Sequence, residues 1–492
     1  MSFRRVGWLA GIALAAWLEI SCGQVYRPVV IPTSTTPPNP ANFHAVFGIS
    51  ANVPFNPGTA LQIDVSGDTD IGVANMGVNP THAAILPNNS RVFVASTGSL
   101  FPGDADTVMA FSPASSSTTA TGLGTPTVFS LPYGSLPVFV NTTQASAVYV
   151  ANYGTNSVSS LNPSTNVVSL SGAVGVNPVA LAETPDALNL YVVNQGSNSV
   201  TDLSPVDLSP VASISVGNTP VWAVSRLDSR RVYVVTEGDG QLYTIDTSTN
   251  TAVPGSPQSV GGAGANFVLY DKSRNRLYVT NPGAGNIYVF DATMDPPAPL
   301  GPAMGISISA PPQCSATTCS AVRPVSVAAL PDGSRFYVAS YVTVLSGSPC
   351  PDPNVTATGC VIPQVTVFDA RSLSQKTTVF PLLPPVTAPV GGVQPFALAP
   401  VAFCAPVIPY TPASARFRMS AAAAVDSSRV YASMCDGGSV AIITATTSTI
   451  SVGGTNTPDT LVTDLPAPFG AGAAQGNGQP LPQNPVFLLT GQ

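Results

Sequence analysis

The chain has 492 residues, of which 44% are apolar and 8% charged, with 42 glycines and 50 prolines. That many turn formers beside so few charges leaves little room for solvated helices, and so much buriable β-branched side chain argues against a disordered chain. Seventeen basic against twenty-four acidic residues give a net charge of −7, and no Lys/Arg run follows the first ten residues, which speaks against a nucleic-acid partner.

Arg4 and Arg5 precede an apolar stretch, Val6 to Leu18, long enough for the core of a signal peptide and short for a membrane-spanning helix. It runs into Leu18-Glu19-Ile20-Ser21-Cys22-Gly23, which resembles a bacterial lipobox. The expectation is a signal peptide over 1–21 and acylation at Cys22. Because Glu19 stands at the usual leucine position, plain secretion and a retained anchor remain as alternatives. Residues 22–43 form a Pro/Thr-rich tract without apolar periodicity, expected to be an extended tether between a membrane and a globular head over 44–492. The lipid would be the sole membrane contact.

Ala60 to Val65 and Asp70 to Val73 look like the third and fourth strands of a four-stranded unit whose first two strands are missing locally. Asp64-Val65-Ser66-Gly67-Asp68-Thr69-Asp70 between them alternates oxygen ligands like the start of a calcium loop, but its twelfth position is Asn75 rather than Glu, so a hairpin turn is expected. His82 follows in an apolar run and is one of two histidines, His44 being the other; neither stands at metal-ligand spacing from a second histidine or a cysteine pair. No metal and no cofactor are expected.

The main signal is internal repetition. Val-Tyr-Val-Ala-Asn-Tyr-Gly-Thr-Asn-Ser-Val around Tyr149 recurs as Leu-Tyr-Val-Val-Asn-Gln-Gly-Ser-Asn-Ser-Val around Tyr191, 42 residues on. Further copies surround Tyr233 and Tyr278, with fainter ones at Phe93, Tyr337 and Tyr431. The copy containing Tyr191 divides into four short runs, Val179 to Ala182, Leu190 to Asn194, Ser199 to Leu203 and Val211 to Val216, separated by turn clusters. Four strands in about 42 residues is the unit of a β-propeller blade. With Pro485 to Leu489 and Leu461 to Thr463 supplying the two missing strands, the termini would complete one blade and Phe487 would be its second-strand aromatic. The predicted fold is therefore all-β, one propeller of eight blades, with seven as the alternative.

The Tyr278 copy reads Tyr278-Val279-Thr280-Asn281 and then Val289-Phe290-Asp291. In this it resembles the YVTN-type, lactonase-like bacterial β-propeller repeat family, over roughly residues 58 to 490. The resemblance implies the fold and an extracytoplasmic location, and leaves the activity open because that family is functionally diverse.

Insertions are expected at 302–322, 346–363 and 382–416. Besides Cys22 there are six cysteines: Cys314, Cys319, Cys350, Cys360, Cys404 and Cys435. In an exported chain these should be disulfides, and although fifteen pairings exist, Cys314 with Cys319 and Cys350 with Cys360 are close enough to staple two Pro-rich insertions, leaving Cys404 for Cys435.

Loops between second and third strands share a face with the blade-to-blade crossings. Asn152, Asn194, Glu237 and Asn281 are thus candidate ligand contacts, with structural Asx turns as the plainer reading. On the opposite face Asn88-to-Arg91, Asp228-to-Arg230, Asp271-to-Arg274, Asp332-to-Arg335 and Asp426-to-Arg429 read as one turn type, with Asp bonding its own backbone and Arg covering the next blade. His82 is the one channel-lining candidate for a general base. The functional expectation is a cell-envelope binding module for a protein or glycan, more a binder than an enzyme, with two alternatives: a hydrolase of lactonase type at the channel, or a structural surface-assembly protein.

Overall fold

The computed structural model describes residues 45–491 except 52–56, 66–67, 99–105, 115–122, 143–146, 352–358, 382–396, 399, 402–403, 405–416, 447–457 and 467–483. The signal peptide, Cys22, His44 and the tether lie outside these, as does most of the 382–416 insertion. Every strand belongs to one of eight antiparallel sheets. The first strands touch one another in cyclic order, so the sheets close into an eight-bladed propeller around a central channel.

The blades form where the repeat predicted them. Blade three consists of Pro178–Glu183, Leu190–Asn194, Ser199–Leu203 and Pro210–Ser215 in that order from channel to rim. Its second strand is buried along its whole length, because blades cover both faces of a sheet and only the fourth strand meets solvent. The repeat tyrosines Tyr191, Tyr233, Tyr278, Tyr337 and Tyr431 are among the largest fully buried side chains. Burial of each is worth about 1.5–3 kcal/mol. Some also strap blades together: the Tyr149 hydroxyl donates to Pro205 O at 2.9 Å, Tyr191 to Asn250 Oδ1 at 2.6 Å and Tyr337 to Asp459 Oδ1 at 2.7 Å, each partner lying in the next blade.

The ring closes through both termini, but not as the sequence suggested. Blade eight runs from Asn484–Thr490 at the channel through Ala45–Ala51 and Pro57–Asp64 to Thr69–Val78 at the rim. Its second strand is therefore N-terminal, and Phe487 belongs to the first strand rather than the second. Leu461 to Thr463 lies in Thr460–Pro466, the fourth strand of blade seven. Val46, Phe47 and Ile49 are completely buried, which makes Ala45–Ala51 a core strand despite the tether-like sequence before it.

The Asp/Asn turns on the lower face are as expected. Asn88, Asp228, Asp271, Asp332 and Asp426 each accept the backbone N–H two residues on. Arg91 donates to Pro163 O and Asn166 Oδ1, Arg274 to Gly333 O and Arg335 to Ala445 O, each in the next blade. In blade four Arg231 rather than Arg230 makes the crossing, to Asp295 at 2.9 Å. In the acid-rich Asp64 to Asp70 segment, Asp64 pairs with Thr69 across the two outer strands of blade eight, and the Asp68 carboxylate is taken by Arg429.

Candidate functional site: the closed channel

Each first strand opens in a similar way. Blades one, two, three, four, six and eight begin Pro80-Thr81-His82, Pro137-Val138-Phe139, Pro178-Val179-Ala180, Pro220-Val221-Trp222, Pro324-Val325-Ser326 and Pro485-Val486-Phe487. In all six, register shifts between the proline and the third residue, so the middle residue is a β-bulge. A bulge re-aims the side chain that follows it. Here the third residues meet at the axis, joined by Phe267 of blade five and Phe417 at the entry to blade seven.

The result is a continuous aromatic plug. His82 stacks on Phe139 with ring centroids 3.8 Å apart and meets Phe487 at 4.4 Å. Trp222 contacts Phe139 at 5.2 Å, Phe267 at 5.1 Å and Phe417 at 5.5 Å, and Phe417 returns to Phe487 at 6.3 Å. Such edge and offset contacts add about 0.5–1.5 kcal/mol per pair beyond area burial. Blades three and six contribute only Ala180 and Ser326, and Ser326 Oγ accepts the Ala421 N–H at 3.1 Å.

His82 is consumed by this packing. Its Nδ1 accepts the Val140 N–H at 3.5 Å, a long contact, and burial pushes its pKa down to about 3. The imidazole is neutral throughout the physiological range. A cavity of about 280 Å³ lies against the plug between the first strands of blades eight, one and two, lined by His82, Phe139 and Phe487 together with Asn141, Thr142 and Thr490. Its lining combines the edges of buried aromatic rings with the Asn141 amide and the hydroxyls of Thr490 and Thr142, the last donating to Ile85 O.

Of the four loop candidates, Asn152, Asn194 and Asn281 end the second strands of blades two, three and five, where blade four has Thr236, and Glu237 lies one residue beyond; the three asparagines are committed internally. Asn152 Nδ2 donates to Ser157 Oγ and Ser159 Oγ, Asn194 Nδ2 to Ser199 Oγ and Thr201 Oγ1, and Asn281 Nδ2 to the carbonyls of Val260 and Gly262. Glu237 is half-buried, and desolvation raises its carboxyl above the usual range. Sequence reasoning missed Phe139, Trp222, Phe267, Phe417 and, as a channel residue, Phe487. The recurring Pro-x-x triplet was the signal available for most of them.

All three disulfides form with the expected pairing: Cys314–Cys319, Cys350–Cys360 and Cys404–Cys435. The first two insertions meet through backbone pairing: Cys319 bridges Val344, Leu345 N–H donates to Thr318 O and Val344 N–H donates to Cys360 O. Disulfides of this number imply an oxidising, extracytoplasmic environment.

No protein-family model and no curated protein matches the sequence. Among solved structures, a Bacteroides fragilis protein assigned provisionally as a 6-phosphogluconolactonase matches with a TM-score of 0.47 and 14% identity, over 69% of this chain and 95% of its own. A Bacteroides uniformis protein with the same provisional assignment gives 0.44 and 13%, over 68% and 95%. Kuenenia stuttgartiensis hydrazine synthase gives 0.41 and 19%, over 61% and 73%.

Proposed function

We propose that this propeller is a binding module of the cell envelope that holds a glycan in the channel pocket. The observation that carries the reading is the aromatic lining made by His82, Phe139 and Phe487 beside Asn141, Thr142 and Thr490. Aromatic rings take the apolar face of a sugar ring, while amide and hydroxyl groups fix its orientation. A hydrolase reading needs a base that can accept a proton, and a histidine held neutral to about pH 3 inside an aromatic stack is a poor one.

Of the three tryptophans, Trp8 and Trp17 precede the cleavage point expected before Cys22, so Trp222 is the sole tryptophan of a chain lacking residues 1–21. Its indole contacts both His82 and Phe139. Titration with a panel of envelope oligosaccharides should change its emission saturably, and Phe487→Ala should weaken that response tenfold or more. A flat response across the panel, or one unaltered by Phe487→Ala, removes the reading.

Attachment through an acylated Cys22 belongs to the same proposal. Leu18 to Gly23 and the disulfide-bonded head support it. Metabolic labelling with palmitate should mark the wild type and not Cys22→Ala; equal labelling of both, or of neither, rejects the anchor.

A further inference from the structure

On the rim, far in sequence from the channel pocket, blades five and six enclose a cavity of about 610 Å³. The fourth strand of blade five is broken into Ala298–Leu300 and Ile306–Ser307, and the intervening turn opens the groove. Leu300, Ile306 and Leu373 line it and pack on the core between the two blades. Met304, which also lines it, is 80% exposed.

That exposure is enforced. Met304 O accepts from Asn286 Nδ2 at 2.8 Å and from the Tyr288 hydroxyl at 3.1 Å, and Gly305 N–H closes the turn onto Pro302 O at 2.9 Å. Gly305 has φ +81°, and a Cβ there would lie 2.8 Å from the Tyr288 ring, so this turn geometry requires glycine. An adaptable, exposed thioether thus lines the groove beside apolar residues on a turn whose backbone is fixed, as at surfaces that accept apolar ligands.

Two guanidiniums, Arg276 and Arg371, line the same groove, although the chain has only 17 basic residues. Arg276 donates to Ala370 O, and among the described residues neither guanidinium has a carboxylate at ion-pair distance. Of the nearby acids, Asp369 accepts from the N–H groups of Arg371 and Ser372, while Asp291 accepts from Thr293 and feels the Arg276 charge from the adjoining strand without reaching ion-pair distance.

We propose that this groove is a second binding site, taking a small amphiphilic anion whose carboxylate or phosphate head meets Arg371 and Arg276 and whose apolar body lies on Leu300, Ile306 and Leu373 beside Met304. Unpaired guanidiniums match both head groups, and a volume of this size suits a ligand of a few hundred daltons. The site does not depend on what the channel binds.

The test is calorimetric titration of the purified protein, below micelle concentrations, with decanoate, decyl phosphate, decanol and acetate. Saturable one-to-one binding of decanoate, decyl phosphate or both is expected, with decanol and acetate at least tenfold weaker; which head binds tighter identifies the source. Arg371→Gln and Met304→Glu, both at exposed positions, should each weaken the anionic amphiphile at least tenfold while leaving the melting temperature unchanged. Arg371→Lys should recover part of the loss. No saturable binding of either amphiphile, equal binding of decanol, or binding unaltered by both substitutions overturns the proposal.

Discussion

Arg429 grips Asp68 with two nitrogens, Nε and Nη2, each 3.0 Å from a carboxylate oxygen, joining residues 361 positions apart in the chain. Asp68 lies between the two outer strands of blade eight and Arg429 in the second strand of blade seven, so the pair spans one seam at which the ring is sealed. The Arg429 side chain is 4% exposed, and its remaining bonds go to Ser428 O and Thr444 Oγ1. Removing one member of such a pair leaves the other buried and uncompensated, at a cost of about 3–5 kcal/mol. Arg429→Met should therefore lower the chemical-denaturation midpoint markedly, and Asp68→Asn should do so to a lesser degree because its site is wetter. A double variant no worse than Arg429→Met alone confirms the coupling; strictly additive losses refute it.

His82 sets one pH dependence. Its folded pKa, about 3, lies below the unfolded 6.5, so under acid the unfolded chain takes up a proton that the folded one refuses. Stability from this source is complete above pH 6.5 and is lost as pH falls toward 3, by up to about 5 kcal/mol. His82→Phe, which keeps a ring on Phe139, should flatten the decline between pH 6 and 4. Parallel stability profiles for variant and wild type count against the assignment.

Asp464 acts in the opposite sense. Both its carboxylate oxygens are buried without a hydrogen-bond partner, and desolvation raises its pKa to about 7. Its register row across blade seven is Ala421, Ala432 and Ala441, which offers no donor side chain. A raised carboxyl stabilises the fold below the unfolded value near 4, and that contribution is lost as pH rises through 7. Asp464→Asn should thus gain about 1–3 kcal/mol over the wild type at pH 8 and little at pH 4 or below. A gain independent of pH would mean that ionisation is not the cause.

What the sequence disclosed follows from what repeats. The tyrosines from Tyr149 to Tyr278 sit in strands buried on both faces, where the environment is the same in every blade, so their period survives. The third residues of the first strands face a channel whose filling is shared around the ring. One position can then be Trp222 while another is Ala180, and no residue-level period results. Ala45–Ala51 was hidden for a different reason: it carries no copy of the repeat motif and follows directly on the Pro/Thr tract, and of its two partners only Pro57–Asp64 is near in sequence, Asn484–Thr490 lying at the far end of the chain. Asn152, Asn194 and Asn281 were visible as a pattern, but the pattern belongs to the turn, with each amide bonded inside its own blade or to the adjoining crossing.

The disulfides should rank by the loop each closes. Sequence separations of 5, 10 and 31 for Cys314–Cys319, Cys350–Cys360 and Cys404–Cys435 correspond to about 2, 2.6 and 3.7 kcal/mol of restricted unfolded-chain entropy. Paired Cys→Ser replacement should lower the melting temperature most at Cys404–Cys435, whose two cysteines also pack with Ala51 and Val486 of the shared blade. An inverted ranking would place the stabilisation in native packing of the insertions instead of in the unfolded chain.

Trp222 tests the plug directly. It contacts His82, Phe139, Phe267 and Phe417, which come from blades one, two, five and seven, so no other single side chain in the aromatic network touches so many of the ring's sectors. Being half-buried, it should cost less than a fully enclosed ring on truncation, about 2–4 kcal/mol for Trp222→Ala. Trp222→Phe keeps an aromatic edge for Phe139 and Phe417 and should cost under about 1.5 kcal/mol. The distinguishing measurement is the same pair of variants in the background of Phe417→Ala. If the plug is one packed unit, the two truncations overlap and their combined loss falls short of the sum. Full additivity would mean that the rings pack on their own blades independently, and that the channel is narrowed by the aromatics without being held shut by them.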